Sequence, residues 1–203
     1  MKPMTVAQLY EKLCSKKFQD THSGDLFYNF YVYLYPADKE FEMREQIDEI
    51  KENIKRPVNN VDVLTLDIFE EFCRFMDAQS FGKHPSYLKY MLEKDETKPE
   101  DVTKALLLKA NSDDFLLYIH NRIMEHVSKV DNFIRPYVFM YGLGNIYPYL
   151  RTSNLLNRYE KHNHSERYKI ILFYPGDQDG ATFKLFGDLE DNHTYRAIVL
   201  MND

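Results

Sequence analysis

Tryptophan is absent from this 203-residue chain, and cysteine is scarce, with Cys14 and Cys73 the only two. Two thiols far apart in sequence, each inside an amphipathic helical pattern, exclude a disulfide framework and read as reduced core thiols of a cytosolic protein. A surplus of basic charge is also missing. With a formal net charge of −6 and a pI near 5.7, the chain cannot coat nucleic acid through its overall field, because phosphate neutralisation needs an accessible excess of Lys and Arg. Long apolar runs are lacking as well. The longest stretch without charge, Pro136 to Leu150, is shorter than the roughly 18 residues of a spanning helix and is broken by Gly142, Gly144 and Pro148. The start, Met1 to Glu11, has no basic segment leading into an apolar run, so neither secretion nor membrane insertion is expected and the expected location is the cytoplasm. No internal repeat or low-complexity tract occurs.

What is abundant is apolar and aromatic material: 44% hydrophobic residues, including 16 Tyr and 14 Phe. That supply suffices for a substantial core, and Tyr suits half-buried positions and protein interfaces because its ring is apolar while its hydroxyl still needs a partner. Thr5 with Gln8 forms a capping-box signal ahead of Val6, Leu9, Tyr10 and Leu13 at helical spacing. Phe27 to Tyr35, nearly all apolar and stopped by Pro36, predicts a strand buried on both faces, as in a parallel sheet covered by helices. Met43, Ile47, Ile50 and Ile54 stripe a charged helix, and Val61 to Leu66 predicts the next strand. Asp67 is placed to cap a helix whose buried face carries Phe69, Phe72, Cys73 and Met76.

Further helices follow through residues 86–130, then a strand at Pro136 to Tyr141, a tight turn at Gly142 to Asn145, and a helix from Pro148 to about Tyr159. Lys169 to Tyr174 predicts a fourth strand, Pro175 to Gly180 a turn, Thr182 to Phe186 a short edge strand, and Tyr195 to Leu200 the last strand. The expected architecture is α/β: one three-layer domain over residues 1–203 with a mainly parallel sheet. It carries a helical insertion at about 86–130 between the second and third strands, and an antiparallel C-terminal end.

In such sheets ligands collect at the carboxyl ends of the strands, which puts Asp38, Asp67, the Gly142 turn and Pro175 to Gly180 under inspection. One reading makes Asp67, Asp177 and Asp179 a Mg²⁺ site for phosphate chemistry. Helix caps and turns are the commoner use of these residues and the reading preferred here. Gly142-Leu143-Gly144-Asn145 sits where backbone amides can cradle a phosphate, yet it lacks the Gly-Lys of a P-loop, and Tyr147 occupies the place of the third dinucleotide-fingerprint glycine. No Ser or Cys stands at a nucleophile elbow. His162, His164 and His193 lack the spacing of a metal site. Arg151, Arg158, Lys161, Arg167 and Lys169 form the one basic concentration, fit for an acidic partner, for nucleic acid, or merely for solvent exposure. No catalytic residue, cofactor or metal is expected.

The run Val138-Phe139-Met140-Tyr141-Gly142-Leu143-Gly144-Asn145-Ile146-Tyr147-Pro148-Tyr149-Leu150-Arg151, followed by Ser153, Leu155 and Leu156 and then by Ile170 to Gly176, resembles the BrxB family of the bacterial BREX phage-defence systems. That family shows a strand entering a Gly-x-Gly turn, an aromatic-Pro-aromatic step, an Arg, and a strand ending in Pro-Gly. Phe183 to Phe186, Tyr195 to Leu200 and the strand ending Tyr35-Pro36 extend the likeness, while Asn145 stands where Ser is more usual. The resemblance implies a non-catalytic component whose partners are other BREX proteins, first the PglZ-type protein, with DNA met only through the complex and no membrane contact. Gly142, Gly144, Asn145, Pro148, Pro175 and Gly176 would then be structural, and Tyr147, Tyr149, Arg151, Arg158 and Lys161 are the residues expected to meet a partner.

Overall fold

The capping box at Thr5 starts α1 (Val6–Cys14), with the Thr5 hydroxyl accepting from the Gln8 amide and the Gln8 side chain returning to the Thr5 amide. A computed structural model describes residues 4–20, 30–162, 167–179, 182–191 and 197–201. After α1 come α2 (Lys16–Gln19), β1 (Phe30–Tyr35), α3 (Glu40–Ile54), β2 (Val61–Asp67) and α4 (Ile68–Asp77). The insertion region holds α5 (Tyr87–Asp95), α6 (Pro99–Ala110) and α7 (Asp113–Lys129). Then follow β3 (Arg135–Tyr141), α8 (Leu143–Ile146), α9 (Thr152–Tyr159), β4 (Lys169–Asp179), β5 (Thr182–Leu185), β6 (Leu189–Asp191) and β7 (Ile198–Val199).

The strands lie in the order β2-β3-β4-β1-β7, each parallel to its neighbours, and β5 and β6 add antiparallel to the far end of β4. Alternation along each strand divides the core into two layers. Phe30 and Val32 of β1, Leu66 of β2, Val138 and Met140 of β3 and Ile170 and Leu172 of β4 face α4, α5, α6, α7 and α9. Tyr31, Tyr33, Tyr35, Val63, Tyr137, Phe139, Ile171 and Phe173 face α1, α2 and the Met43, Ile47, Ile50 and Ile54 stripe of α3. The result is the three-layer α/β arrangement with a mainly parallel sheet that the strand patterns predict.

Several local expectations change, the first being that Phe69, expected on the buried face of α4, is exposed while Ile68 and Phe75 are buried with Phe72 and Met76. Pro175 to Asp179 is strand, not turn: β4 pairs with β1 as far as Pro175 and passes to β5 at Gly176, where a Cβ would overlap the Lys184 carbonyl. Glycine there lets a neighbouring backbone approach, so the strand changes partner without stopping. The helix expected from Pro148 to about Tyr159 begins only at Thr152, as α9, and a short helix, α8, takes up part of the expected tight turn at Gly142 to Asn145; the residues between them, with a cis Tyr147-Pro148 peptide, leave Arg151 at the N-cap of α9 instead of one turn inside a helix. The edge strand stops at Leu185 because Phe186 adopts φ 58° in the hairpin turn. The final strand is only two residues and runs parallel to β1; Phe27 to Asn29 and Tyr195 lie outside the described residues. Cys14 and Cys73 are unbonded and half-buried, and burial raises both thiols. Among the described residues no helix is long and apolar enough to cross a membrane.

Candidate functional site at the carboxyl edge of the sheet

Asp67 ends β2, and its carboxylate begins α4: Oδ1 accepts from the amides of Phe69 and Glu70 at 3.0 and 3.2 Å. Oδ2 accepts from Arg44 Nη1 of α3 at 2.7 Å, and the residue is buried. Arg44 also holds Glu40 at 2.9 Å and lies over the Tyr141 ring, 5.2 Å from its centroid. Glu40 in turn accepts from the Tyr35 hydroxyl. Burial first, and then Glu40, raises the Tyr35 phenol well above its usual value, and burial with the Asp67 carboxylate raises Tyr141. This closed chain of Tyr35, Glu40, Arg44 and Asp67 ties the ends of β1 and β2 to α3. Periodicity did not single out Arg44 or Glu40; the signal available was their i, i+4 spacing beside the apolar stripe of α3.

The two glycines of the Gly142 turn are explained by the same neighbourhood. Gly142 has φ 76°, and a Cβ there would overlap the Asp67 carboxylate. A Cβ at Gly144 would come within 2.7 Å of the Phe186 ring. The near side of the turn is therefore filled by a carboxylate and a phenyl ring, which is the wrong surrounding for a phosphate. The four-residue α8 that follows leaves Asn145 exposed.

The carboxylates of the Mg²⁺ reading do not converge. Asp67 is committed as above, Asp179 is exposed and paired with Lys184 at 3.0 Å, and Asp177 is exposed on β4, two strands away from β2. Among the described residues no group of three or more His, Cys, Asp or Glu is placed to hold a metal ion. Asp38 is exposed in a short turn after β1. A cleft of about 150 Å³ opens beside the carboxyl ends of β1, β4 and β7, with Leu34, Pro36, Val199 and Leu200 among its apolar walls and Asp177 as its carboxylate. His162 lies beside His120, ring centroids 5.5 Å apart, whereas His164 and His193 are outside the described residues.

The basic concentration is dispersed by the fold. Lys169 is buried, with its Nζ 4.5 Å from the Phe18 ring centroid and 3.3 Å from the Tyr31 hydroxyl, and burial lowers it to about 8. Arg167 donates to the Val130 carbonyl. Arg158 and Lys161 both pair with Asp113 of α7, at 2.8 and 2.7 Å. Arg151 is exposed and forms no ion pair among the described residues. Beside it Pro148 is exposed and Tyr147 and Tyr149 are half-buried. Asn111, which sequence reasoning overlooked, holds this turn by donating to the Tyr149 carbonyl at 2.8 Å.

Comparison with known proteins bears on the whole chain. The model of the family described as BREX protein BrxB matches residues 64–200. A BREX protein BrxB of Bacillus cereus (strain H3081.97) is 24% identical over 200 residues, covering 96% of this chain and 95% of its own. No solved structure matches the chain.

Proposed function

Because the chain belongs to the BrxB family, we propose that it serves its BREX phage-defence system as a non-catalytic adaptor that binds other BREX proteins, the PglZ-type protein first among them. Membership makes it a BREX component; the adaptor role rests on how the side chains are spent. At the carboxyl edge, where an α/β sheet would hold a ligand, Asp67, Gly142 and Gly144 serve the fold: one caps a helix and pairs with Arg44, and the others make room for it and for Phe186. That is the observation that carries the reading. Arg151, by contrast, stands exposed on a turn with Tyr147 and Tyr149, and Arg158 and Lys161 border it, held by Asp113. Half-buried tyrosines with an available guanidinium have the composition of an interface centre.

The test is capture of the purified PglZ-type protein of the same operon by the full chain at moderate salt. Wild-type protein should retain it, and Arg151→Ala should weaken retention while melting at the wild-type temperature. Failure of the wild-type chain to retain any BREX protein overturns the adaptor reading. A large drop in melting temperature for Arg151→Ala would make that residue structural and move the surface elsewhere.

A further inference from the structure

On the side of the sheet away from α9, α3 shows water a face unlike its buried one. Met43, Ile47, Ile50 and Ile54 are buried against the sheet, and positions 41, 45, 48 and 52, at i, i+4, i+7 and i+11, form the opposite stripe. That stripe reads Phe41, Glu45, Asp48 and Glu52, with Glu49 beside it, and every one of these residues is exposed. Phe41 is 85% exposed, more than any other large apolar side chain among the described residues. An aromatic ring left in water at the first turn of a helix contributes nothing to the core.

The charge along the stripe is one-sided. Glu45, Asp48, Glu49 and Glu52 form no ion pair among the described residues, because the basic side chains of the same segment are held elsewhere. Lys39 pairs with Glu42 at 2.9 Å, Arg44 holds Glu40 and Asp67, and Lys55 pairs with Asp62 of β2 at 3.5 Å. Lys51 is half-buried and donates to the Thr65 hydroxyl, and Arg56, past the last turn, donates to the Asn53 side chain. The adjoining α1 meets α3 through Tyr10, whose hydroxyl reaches the Asn53 carbonyl at 3.4 Å, and Lys12, two positions further on, points away from that contact. Lys51 and Arg56 are thus outnumbered by the stripe's carboxylates, to which exposed Asp38 adds another just before the helix.

This pattern works against the helix itself. Glu45 stands i, i+3 and i, i+4 from Asp48 and Glu49, and Glu52 is spaced likewise from Glu49 and Asp48, distances at which like charges repel. Glu52, in the last turn, also opposes the helix dipole. Neither the core nor the stability of α3 accounts for an exposed ring followed by unpaired carboxylates.

We infer that the stripe Phe41, Glu45, Asp48 and Glu52 of α3 is a docking surface for a basic segment of a partner protein. Lys or Arg side chains of that segment meet the carboxylates, and an apolar residue at one end packs on Phe41, which sets the register. The charge decides the class of occupant. Nucleic acid and anionic lipid are repelled by such a face, and among the described residues no group of three or more His, Cys, Asp or Glu is placed to hold a metal ion. The inference rests on the adaptor reading and deepens it: an adaptor needs a second surface, and α3 lies across the sheet from α9 and the Arg151 turn.

The other purified BREX proteins of the same operon are bound one at a time to the full chain, at low and high salt. The chains compared are wild type, Phe41→Asp, the combined variant Glu45→Gln/Asp48→Asn/Glu49→Gln/Glu52→Gln, and Leu108→Asp. Leu108 is 76% exposed on α6, in the layer across the sheet, and serves as the control. At least one protein held by wild type should bind Phe41→Asp about tenfold more weakly or worse, as loss of an apolar anchor does. The combined variant should bind it more weakly too, most at low salt, with the defect shrinking as salt rises. That variant should melt no lower than wild type, since its substitutions relieve repulsion. Leu108→Asp should bind and melt as wild type. If wild type binds and either α3 variant holds every partner equally well, the α3 surface is refuted while the adaptor reading stands. A defect in Leu108→Asp equal to that in Phe41→Asp refutes it too, and absence of any wild-type binding removes both.

Discussion

At the scale of single residues, two positive-φ glycines separate backbone strain from packing. Gly82 has φ 57° and open space where a Cβ would go, so Gly82→Ala should cost only the left-handed penalty, about 1–2 kcal/mol. Gly142 has φ 76° and the Asp67 carboxylate in that space, so Gly142→Ala should cost clearly more, by disturbing a cap and an ion pair as well. Urea unfolding of the two variants checks the order, and equal losses would mean Asp67 yields freely. Lys169 gives a second residue-scale prediction. Its amine falls to about 8 in the folded protein, against roughly 10.4 when unfolded. Below pH 8 both states hold the proton. As pH rises through 8 the folded state releases it first, the unfolded state binds more protons, and stability climbs until the unfolded amine titrates. Melting temperatures between pH 7 and 10 should therefore rise from this source, and Lys169→Met should flatten the rise. Above 10 the phenols of Tyr33 and Tyr118, raised to about 12 chiefly by burial, act in the opposite direction.

At the scale of elements, α4 and α7 are joined through Glu71, a residue 1% exposed in the layer otherwise made of Phe72, Phe75, Phe115 and Ile119. Its carboxylate accepts from Arg74 at 2.7 Å and from Tyr118 at 2.9 Å, and Arg122 Nε stands at 3.3 Å. The arginines are substantially exposed and the glutamate is not, so the cost of breaking the group is asymmetric. Arg74→Ala with Arg122→Ala strands a buried carboxylate and should lose about 3 kcal/mol in urea unfolding. Adding Glu71→Met should restore most of that loss, since an apolar side chain of similar size suits the layer. If the triple variant is no more stable than the double, Glu71 is not the source of the penalty.

At the scale of the whole molecule, a parallel sheet with helices on both faces is an architecture that often binds nucleotides, yet here the carboxyl ends of β2 and β3 are occupied by the protein's own side chains. ATP with Mg²⁺ should leave the melting temperature unchanged, whereas a specific ligand at a hundred times its Kd would add about 2.7 kcal/mol. Hydrolysis of ATP or a phosphodiester above background, lost in Asp177→Asn, would overturn the non-catalytic reading.

The sequence by itself determined the elements and their layers. The strand pattern of Val61 to Leu66, the apolar run Ile170 to Phe173, buried on both faces, and the stripe from Met43 to Ile54 express which parts of each element leave water, a property that is local in the chain. The Gly-x-Gly turn and the aromatic-Pro-aromatic step likewise carried the family in a continuous run. Tertiary structure alone decided what the charged side chains do. Asp67 meets Arg44 from 23 positions away, Asp113 meets Arg158 from 45, and Lys169 enters a box made by Phe18 and Tyr31, so one basic run in sequence became a buried amine, two cations sharing Asp113, an arginine bonded to the Val130 carbonyl and an exposed arginine. Burial periodicity repeats along one element and can be read there, but an ion pair depends on which distant elements the fold brings within about 4 Å.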